Sequence, residues 1–152
     1  MDLPDIDWQL VLRHLTQIAV AYALAIPLGL DREGRRSGAG LRTFPLVAVG
    51  SCGYLLIGTE FLSGSESHAR LLYGLMTGIG FIGGGSILKE KGGVSGTATA
   101  ASIWNTGAIG ASVAWGRLEI GIVLSVINFL TLRFASQLKP VLRSNEPDDD
   151  DD

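Results

Sequence analysis

Residues 70–104 read RLLYGLMTGIGFIGGGSILKEKGGVSGTATAASIW and are the most informative part of the chain. The first half, residues 71–88, is an apolar run that carries six glycines. Each glycine inside an exposed helix costs up to about 1 kcal/mol relative to alanine, so six of them disfavour a soluble helix. A short charged turn that contains glycine follows, and a second run of small apolar and hydroxyl residues begins at Thr97. The pattern predicts two membrane helices joined by a turn.

Composition and the placement of charge indicate a membrane protein of one domain. Hydrophobic residues make up 47% of the 152 residues, and charged residues make up 18%, below the roughly 25% of soluble domains. Most of the charges lie at the chain ends or in four short segments, which leaves long runs nearly uncharged. The mean hydropathy of +0.33 is lowered by the five aspartates at the C-terminus.

Five runs are long and apolar enough to cross a bilayer, which requires about 20 mostly apolar residues. Because a helix satisfies its own backbone groups in lipid, the predicted fold is an all-α integral membrane bundle. Nine of the twelve basic residues lie in alternate loops or after the fifth run. The positive-inside rule therefore places the N-terminus outside and the C-terminus in the cytoplasm. The predicted spans are 8–30, 44–62, 71–88, 97–115 and 118–134, within a transmembrane domain over 1–135 that precedes a disordered acidic tail over 136–152.

Local signals support these boundaries. Thr43 is predicted to cap the second helix, and Pro45 falls in its first turn, where a missing N–H costs nothing. Pro27 is expected to kink the first helix or to mark its inner end. The short turn at residues 115–117 predicts that the fourth and fifth spans form an antiparallel hairpin.

The glycines of the third span have two possible roles. Residues 78–83 spell GxGxxG, but a dinucleotide site requires a preceding strand, and this motif lies inside an apolar run. Glycines four residues apart allow close helix packing in lipid, whereas a break at residues 83–85 would expose carbonyls to a polar site. Both roles stay open. The predicted packing set is Gly74, Gly78, Gly80, Gly83, Gly84 and Gly85 against Thr99, Ala100 and Ala101.

The fourth span carries a hydroxyl face. Thr99, Ser102 and Thr106 follow helical spacing. Such side chains bond either across to another helix or back to their own carbonyls. For these hydroxyls we favour hydrogen bonding within the bundle over a role in lining a path for a substrate.

Charged residues between the first two spans predict a cytoplasmic site formed by Asp31, Arg32, Glu33 and Arg42. The Asp31 and Glu33 carboxylates are candidate magnesium ligands. The interleaved arginines favour salt bridges and anionic lipid headgroups instead. We expect no cofactor beyond weak magnesium binding. The sequence has no nucleophile–base pair or metal-ligand set, and we therefore expect no enzymatic activity.

Three ordered motifs resemble the MgtC/SapB family of membrane proteins. Residues 28–33 (LGLDRE) with 39–43 (AGLRT) are similar to the segment that links its first two helices. Residues 78–88 (GIGFIGGGSIL) and 94–104 (VSGTATAASIW) resemble its glycine-rich third helix and the segment that follows. The resemblance covers roughly residues 10–135. The sequence departs from the family pattern at Ala98, where some members have asparagine. The resemblance concerns the transmembrane domain, and we expect no counterpart of the soluble C-terminal domain of larger members.

The resemblance implies a bacterial, multi-pass inner-membrane protein that is associated with adaptation to magnesium limitation. It favours regulation of partner membrane proteins, and the alternative is a transporter of magnesium or another cation. The expected partners are the lipid bilayer, other membrane proteins and further copies of the chain. Nucleic acid is not expected as a partner.

Overall fold

The computed structural model describes residues 6–34, 38–90 and 93–143, and this part of the chain is mainly helical. Each of the five predicted apolar runs coincides with a helix, and a short β-hairpin separates the third helix from the fourth. The helices are α1 (Trp8–Arg32), α2 (Thr43–Phe61), α3 (Ser65–Gly84), α4 (Thr97–Ala114) and α5 (Leu118–Arg143), and the strands are β1 (Leu88–Glu90) and β2 (Gly93–Ser95).

Helix α4 lies at the centre of the bundle and packs against each of the other four helices. Eleven of its 18 residues are buried. Its small residues allow this close packing. A Cβ at Gly110 would overlap the Ala48 carbonyl of α2, and one at Gly107 would overlap the Ile79 side chain of α3.

Polar side chains in the centre of the bundle bond to one another and to backbone carbonyls. The Ser102 hydroxyl donates to Oδ1 of Asn128 at 2.8 Å, and Nδ2 of Asn128 donates to the Ser102 carbonyl at 3.3 Å. The Thr106 hydroxyl donates to the Ser102 carbonyl at 2.8 Å. Both predicted modes of bonding for the hydroxyl face therefore occur, one across to α5 and one back along α4.

The helix starts differ in how they are capped. The carboxylate of Asp7 caps α1 by accepting from the N–H groups of Gln9 and Leu10, at 2.9 and 3.2 Å. The predicted cap at Thr43 is wrong, because α2 begins at Thr43 itself and its start has no side-chain cap. The Gly40 carbonyl instead accepts from the Thr43 N–H at 3.0 Å. Pro45 does lie in the first turn of α2, as predicted.

Three helices end two or more residues from the predicted position, and one of them is α3, which ends at Gly84 and not at residue 88. Helix α1 passes through Pro27 and continues to Arg32. Helix α5 continues to Arg143 and does not end near residue 134. The predicted disordered tail is thus helical over 136–143. The rest of it, 144–152, lies outside the described residues, as do Arg35, Arg36 and Lys91.

The glycines at the end of α3 terminate the helix. The Gly83 carbonyl accepts from the N–H of Ser86 at 3.0 Å and from its hydroxyl at 2.7 Å. The chain then enters the antiparallel hairpin, in which Leu88 pairs with Ser95. Gly96 closes the hairpin at a φ of +85°, which glycine adopts without strain. Helix α3 therefore ends at these glycines and is not a broken helix that resumes beyond them.

Large apolar side chains cover much of the outer surface. Phe81 is 85% exposed, Phe61 78% and Tyr73 75%. Soluble monomers rarely expose apolar surface on this scale. Among the described helices, α1 and α2 are long and apolar enough to cross a membrane by length and composition. Helix α3 begins with the polar segment SESHAR, which lowers its mean hydropathy.

Candidate functional site at the α1–α2 connection

The last turn of α1 is joined to α5 through Arg32. Its Nη2 donates to the Leu132 carbonyl at 3.1 Å and lies 3.3 Å from a carboxylate oxygen of Asp31. The side chains of Arg32 and Asp31 are 9% and 2% exposed. The Asp31 carboxylate offsets the cost of burying the Arg32 guanidinium, which links α1 to the Leu132 carbonyl of α5.

Glu33 closes the connection between α1 and α2. Its Oε2 accepts the backbone N–H of Leu41 at 2.6 Å. A Cβ at Gly40 would overlap the Glu33 carboxylate, and one at Gly29 would lie 2.9 Å from the Cα of Leu41. The two halves of the first sequence motif, 28–33 and 39–43, therefore contact each other directly through glycine.

Arg42 stands apart from the other three residues of the predicted charged site. It occupies the N-cap position of α2, and its side chain is exposed. It makes no hydrogen bond or ion pair with any residue that the structure describes. The structure thus brings Asp31 and Arg32 together, directs Glu33 to the Leu41 backbone, and leaves Arg42 facing outward.

The carboxylates of this site are a poor fit to a magnesium ion. Magnesium is usually held by one or two carboxylates that leave room for several waters. Asp31 is almost fully buried against a guanidinium, and Glu33 accepts a backbone N–H. Across the described ranges, no three or more His, Cys, Asp or Glu side chains are grouped as metal ligands.

The predicted packing seam is reduced to one close contact within this chain. A Cβ at Gly83 would lie 2.9 Å from the Ala100 carbonyl, so the two backbones touch there. Thr99 is buried beside this contact, whereas Ala101 is exposed. The nearest groups to Gly85 are carbonyls of its own helix. The remaining glycines of the set face open space, namely Gly74, Gly78, Gly80 and Gly84.

Helix α3 consequently lies at the periphery of the bundle. Ile79 and Gly83 are its buried residues, out of 20. A cavity of about 800 Å³ follows the α2–α3 boundary. We call it the α2–α3 groove. Its lining includes Leu46, Gly50, Tyr54, Gly74, Gly78 and Ile82, with Arg42 at one end and Arg70 at the other.

A second cavity of about 260 Å³ lies where α3, α4 and α5 meet. Its lining is almost entirely apolar and includes Met76, Trp104 and Leu124. Neither cavity gathers the acidic or imidazole side chains that a cation path would use.

Sequence reasoning missed two polar contacts that hold the bundle. The Ser125 hydroxyl donates to the Leu24 carbonyl at 2.7 Å, and Asn128 bonds to Ser102. A signal was available, because Ser125 and Asn128 are polar residues three positions apart in an otherwise apolar run.

The apolar outer surface, the central helix of small residues and the polar side chains that bond inside the bundle are typical of a helical membrane protein. The chain belongs to the MgtC family, whose model matches residues 18–141.

The chain is similar to several curated bacterial proteins. It is 37% identical over 118 residues to a protein of Escherichia coli K12 named "Putative magnesium transporter YhiD", covering 73% of this chain and 55% of that protein. It is 32% identical to protein SrpB of Synechococcus elongatus, over 91% of this chain and 82% of SrpB. It is 34% identical to protein MgtC of Brucella abortus, over 78% of this chain and 50% of that protein.

The chain thus spans about half the length of YhiD and of the Brucella protein. No solved structure matches it.

Proposed function

We propose that this protein is a multi-pass bacterial inner-membrane protein that serves adaptation to magnesium limitation by binding and regulating other membrane proteins. Membership of the MgtC family and the magnesium-related name of YhiD support the link to magnesium. Binding, and not catalysis, is the proposed activity, and it requires no resident cofactor.

The bonding of the buried polar groups carries the choice of regulation over transport. A transported cation needs polar ligands that face a cavity or a water-filled path. Here Ser102 and Asn128 bond to each other, Ser125 bonds to the Leu24 carbonyl, and Nε2 of Gln17 donates to the Val113 carbonyl at 3.3 Å. The Oε1 atom of Gln17 is buried and has no partner in the described part of the chain. These groups join α1, α4 and α5 into a packed core, which suits a protein that acts by contact.

We propose that all five helices cross the membrane, with the N-terminus outside and the C-terminus in the cytoplasm. Helix α2 has 19 residues, equivalent to about 28 Å, close to the roughly 30 Å hydrocarbon core. The bundle end formed by the end of α1 and the start of α2 carries Arg32 and Arg42. By connectivity, Lys89 and Arg133 lie toward the same end, which the positive-inside rule assigns to the cytoplasm.

The exposed surface of α3 is the proposed contact with a further membrane protein or a second copy of the chain. Gly80 and Gly84 are four residues apart and have no neighbour within 4 Å of where a Cβ would lie. Such a pair allows a helix from another molecule to approach closely in lipid.

Magnesium transport is the alternative function, and the printed name of YhiD is the observation that favours it. In that case Asp31 and Glu33 would bind the cation near the end of α3. The two functions are separated by flux into liposomes that contain the purified protein and a magnesium-sensitive dye. The regulatory proposal expects the same flux as empty liposomes. Saturable magnesium flux that Asp31→Asn abolishes would overturn it, provided that Glu60→Gln, an exposed control, keeps the flux.

A further inference from the structure

We propose that the α2–α3 groove binds one anionic phospholipid, with its phosphate at Arg42 and its acyl chains along the groove. The inference rests on the proposed insertion of the chain in a bilayer, but it does not depend on which partner is regulated.

The dimensions of the groove suit one leaflet of a bilayer. Its lining on α2 runs from Thr43 to Tyr54, an axial distance of about 16 Å at 1.5 Å per residue. Half of the hydrocarbon core is about 15 Å thick. The volume of about 800 Å³ lies within the range of small-molecule sites. Leu46 and Tyr54 are both exposed, so the groove is open at its side to surrounding lipid.

The middle of the groove is apolar, and glycines widen it. Gly50, Gly74 and Gly78 line it and have no neighbour within 4 Å of where a Cβ would lie. The Ser51 hydroxyl, which is also in the lining, already donates to the Val47 carbonyl at 2.7 Å. The Ser51 hydroxyl therefore needs no further partner, and a flexible hydrocarbon chain can occupy the space and supply the packing contacts that the glycines leave unmade.

Charge distinguishes the two ends of the groove. Arg70, at one end, forms an ion pair of 2.7 Å with Glu66 and is neutralised by it. Arg42, at the other end, has no counter-charge among the described residues. The Thr43 side chain lines the groove beside it. A guanidinium binds phosphate through paired hydrogen bonds, so an anionic headgroup belongs at the Arg42 end.

The same charge argues against a second copy of the chain in this groove. In a two-fold symmetric dimer the same surface of each copy faces the other. Two Arg42 guanidinium groups would then meet at one end of the interface without a carboxylate between them. A phospholipid neutralises Arg42, whereas a second copy adds to the positive charge.

The test measures lipid retained by the purified full-length protein, by native mass spectrometry after exchange into nanodiscs. The discs contain equal amounts of phosphatidylglycerol and phosphatidylethanolamine. We expect one retained phosphatidylglycerol per chain. Arg42→Gln should lower its retention roughly tenfold, as loss of a hydrogen bond to a charged group implies. Arg42→Lys should recover part of the phosphatidylglycerol retention that Arg42→Gln loses. Arg13→Gln, near the start of α1 and therefore at the opposite end of the bundle from Arg42, should leave retention unchanged.

A matched glycine pair tests the position of the acyl chains. Gly78→Leu fills the groove and should lower retention, whereas Gly53→Leu, at a glycine of α2 that has open space around it and lies outside the groove lining, should retain lipid as the unmodified protein does. Thermal unfolding of each variant checks its fold. If Gly78→Leu fails to fold, Arg42→Gln decides alone, because Arg42 makes no bond to the described residues.

Three results would overturn the proposal. One is equal retention of the two lipids, and another is unchanged retention in Arg42→Gln. The third is a dimer that Gly78→Leu converts to monomer while lipid retention stays constant, which would place a second copy in the groove. None of these results affects the magnesium-flux test. Conversely, a chain that alkaline carbonate extracts from membranes would contradict the proposed membrane function itself.

Discussion

The Oε2 atom of Glu33 accepts the backbone N–H of Leu41, eight positions further along the chain, at 2.6 Å. This bond fixes the chain where it leaves α1 and turns toward α2. Because Gly40 leaves room for the Glu33 carboxylate, the acidic residue and the glycine act together. The first of the three motifs that resemble the family, 28–33 with 39–43, is thus a structural clamp at the α1–α2 connection.

Glu33→Ala should destabilise the protein by about 1 kcal/mol, since it removes one solvent-exposed hydrogen bond to a carboxylate. The measurement is thermal or denaturant unfolding in detergent, followed by circular dichroism. Glu60→Ala is the control, because Glu60 is exposed near the end of α2 and makes no bond among the described residues. Equal stability of the two variants would contradict the clamp.

Gly110→Ala should destabilise the bundle by roughly 1–3 kcal/mol, because its new methyl group would overlap the Ala48 carbonyl. Gly53→Ala, in α2, is the matched substitution at a helical glycine with open space around it. It should be neutral, or stabilising by up to about 1 kcal/mol through helix propensity. Comparison of the two unfolding midpoints tests the central position of α4. A tolerated Gly110→Ala would contradict it.

Ser102 and Asn128 should show energetic coupling. A double-mutant cycle of Ser102→Ala and Asn128→Ala isolates the interaction between the two side chains. We expect about 0.6–1.7 kcal/mol, the range found for hydrogen bonds between membrane helices. The same cycle on Thr16 and Thr131, whose hydroxyls donate to separate carbonyls of their own helices, should give no coupling. A null result for Ser102 and Asn128 would remove the proposed link between α4 and α5.

Reporter fusions should place residue 143 in the cytoplasm and residue 64 outside. The proposed five crossings put the two termini on opposite sides of the membrane, and the distribution of basic residues assigns the C-terminal side to the cytoplasm. Alkaline phosphatase is active when it is exported, and green fluorescent protein fluoresces when it is cytoplasmic, so each position has a positive readout. Phosphatase activity from the fusion at 143 would contradict the five-span topology.

Sequence alone predicted the five helices because each apolar run is separated from the next by a polar segment. Residues 78–83 lie inside α3, so the strand that a dinucleotide motif requires does not precede them. Helix ends were less predictable. The sequence does not reveal that the Gly40 carbonyl accepts the Thr43 N–H at the start of α2, in place of the side-chain cap predicted at Thr43. That bond depends on the path of a loop.

The role of each glycine could not be predicted from spacing. Gly80 and Gly84 have the same four-residue spacing as other small pairs, yet they have open space around them, whereas Gly83, Gly107 and Gly110 are among the glycines that lie close to a neighbouring helix. Which glycine touches a neighbour depends on which face of its helix points toward the adjacent helix. The bond between Arg32 and Leu132 joins residues 100 positions apart and had no local signal.

The peripheral position of α3 has a consequence for how the stability of this protein is measured. Glycines such as Gly74 and Gly78 weaken their helix, and no neighbour in the same chain occupies the space that they leave. Any molecule that covers α3 in the folded state alone raises the unfolding temperature as its concentration increases. The unfolding temperature is therefore expected to vary with lipid composition and with protein density in the bilayer, and a single value measured in detergent describes only the uncovered form.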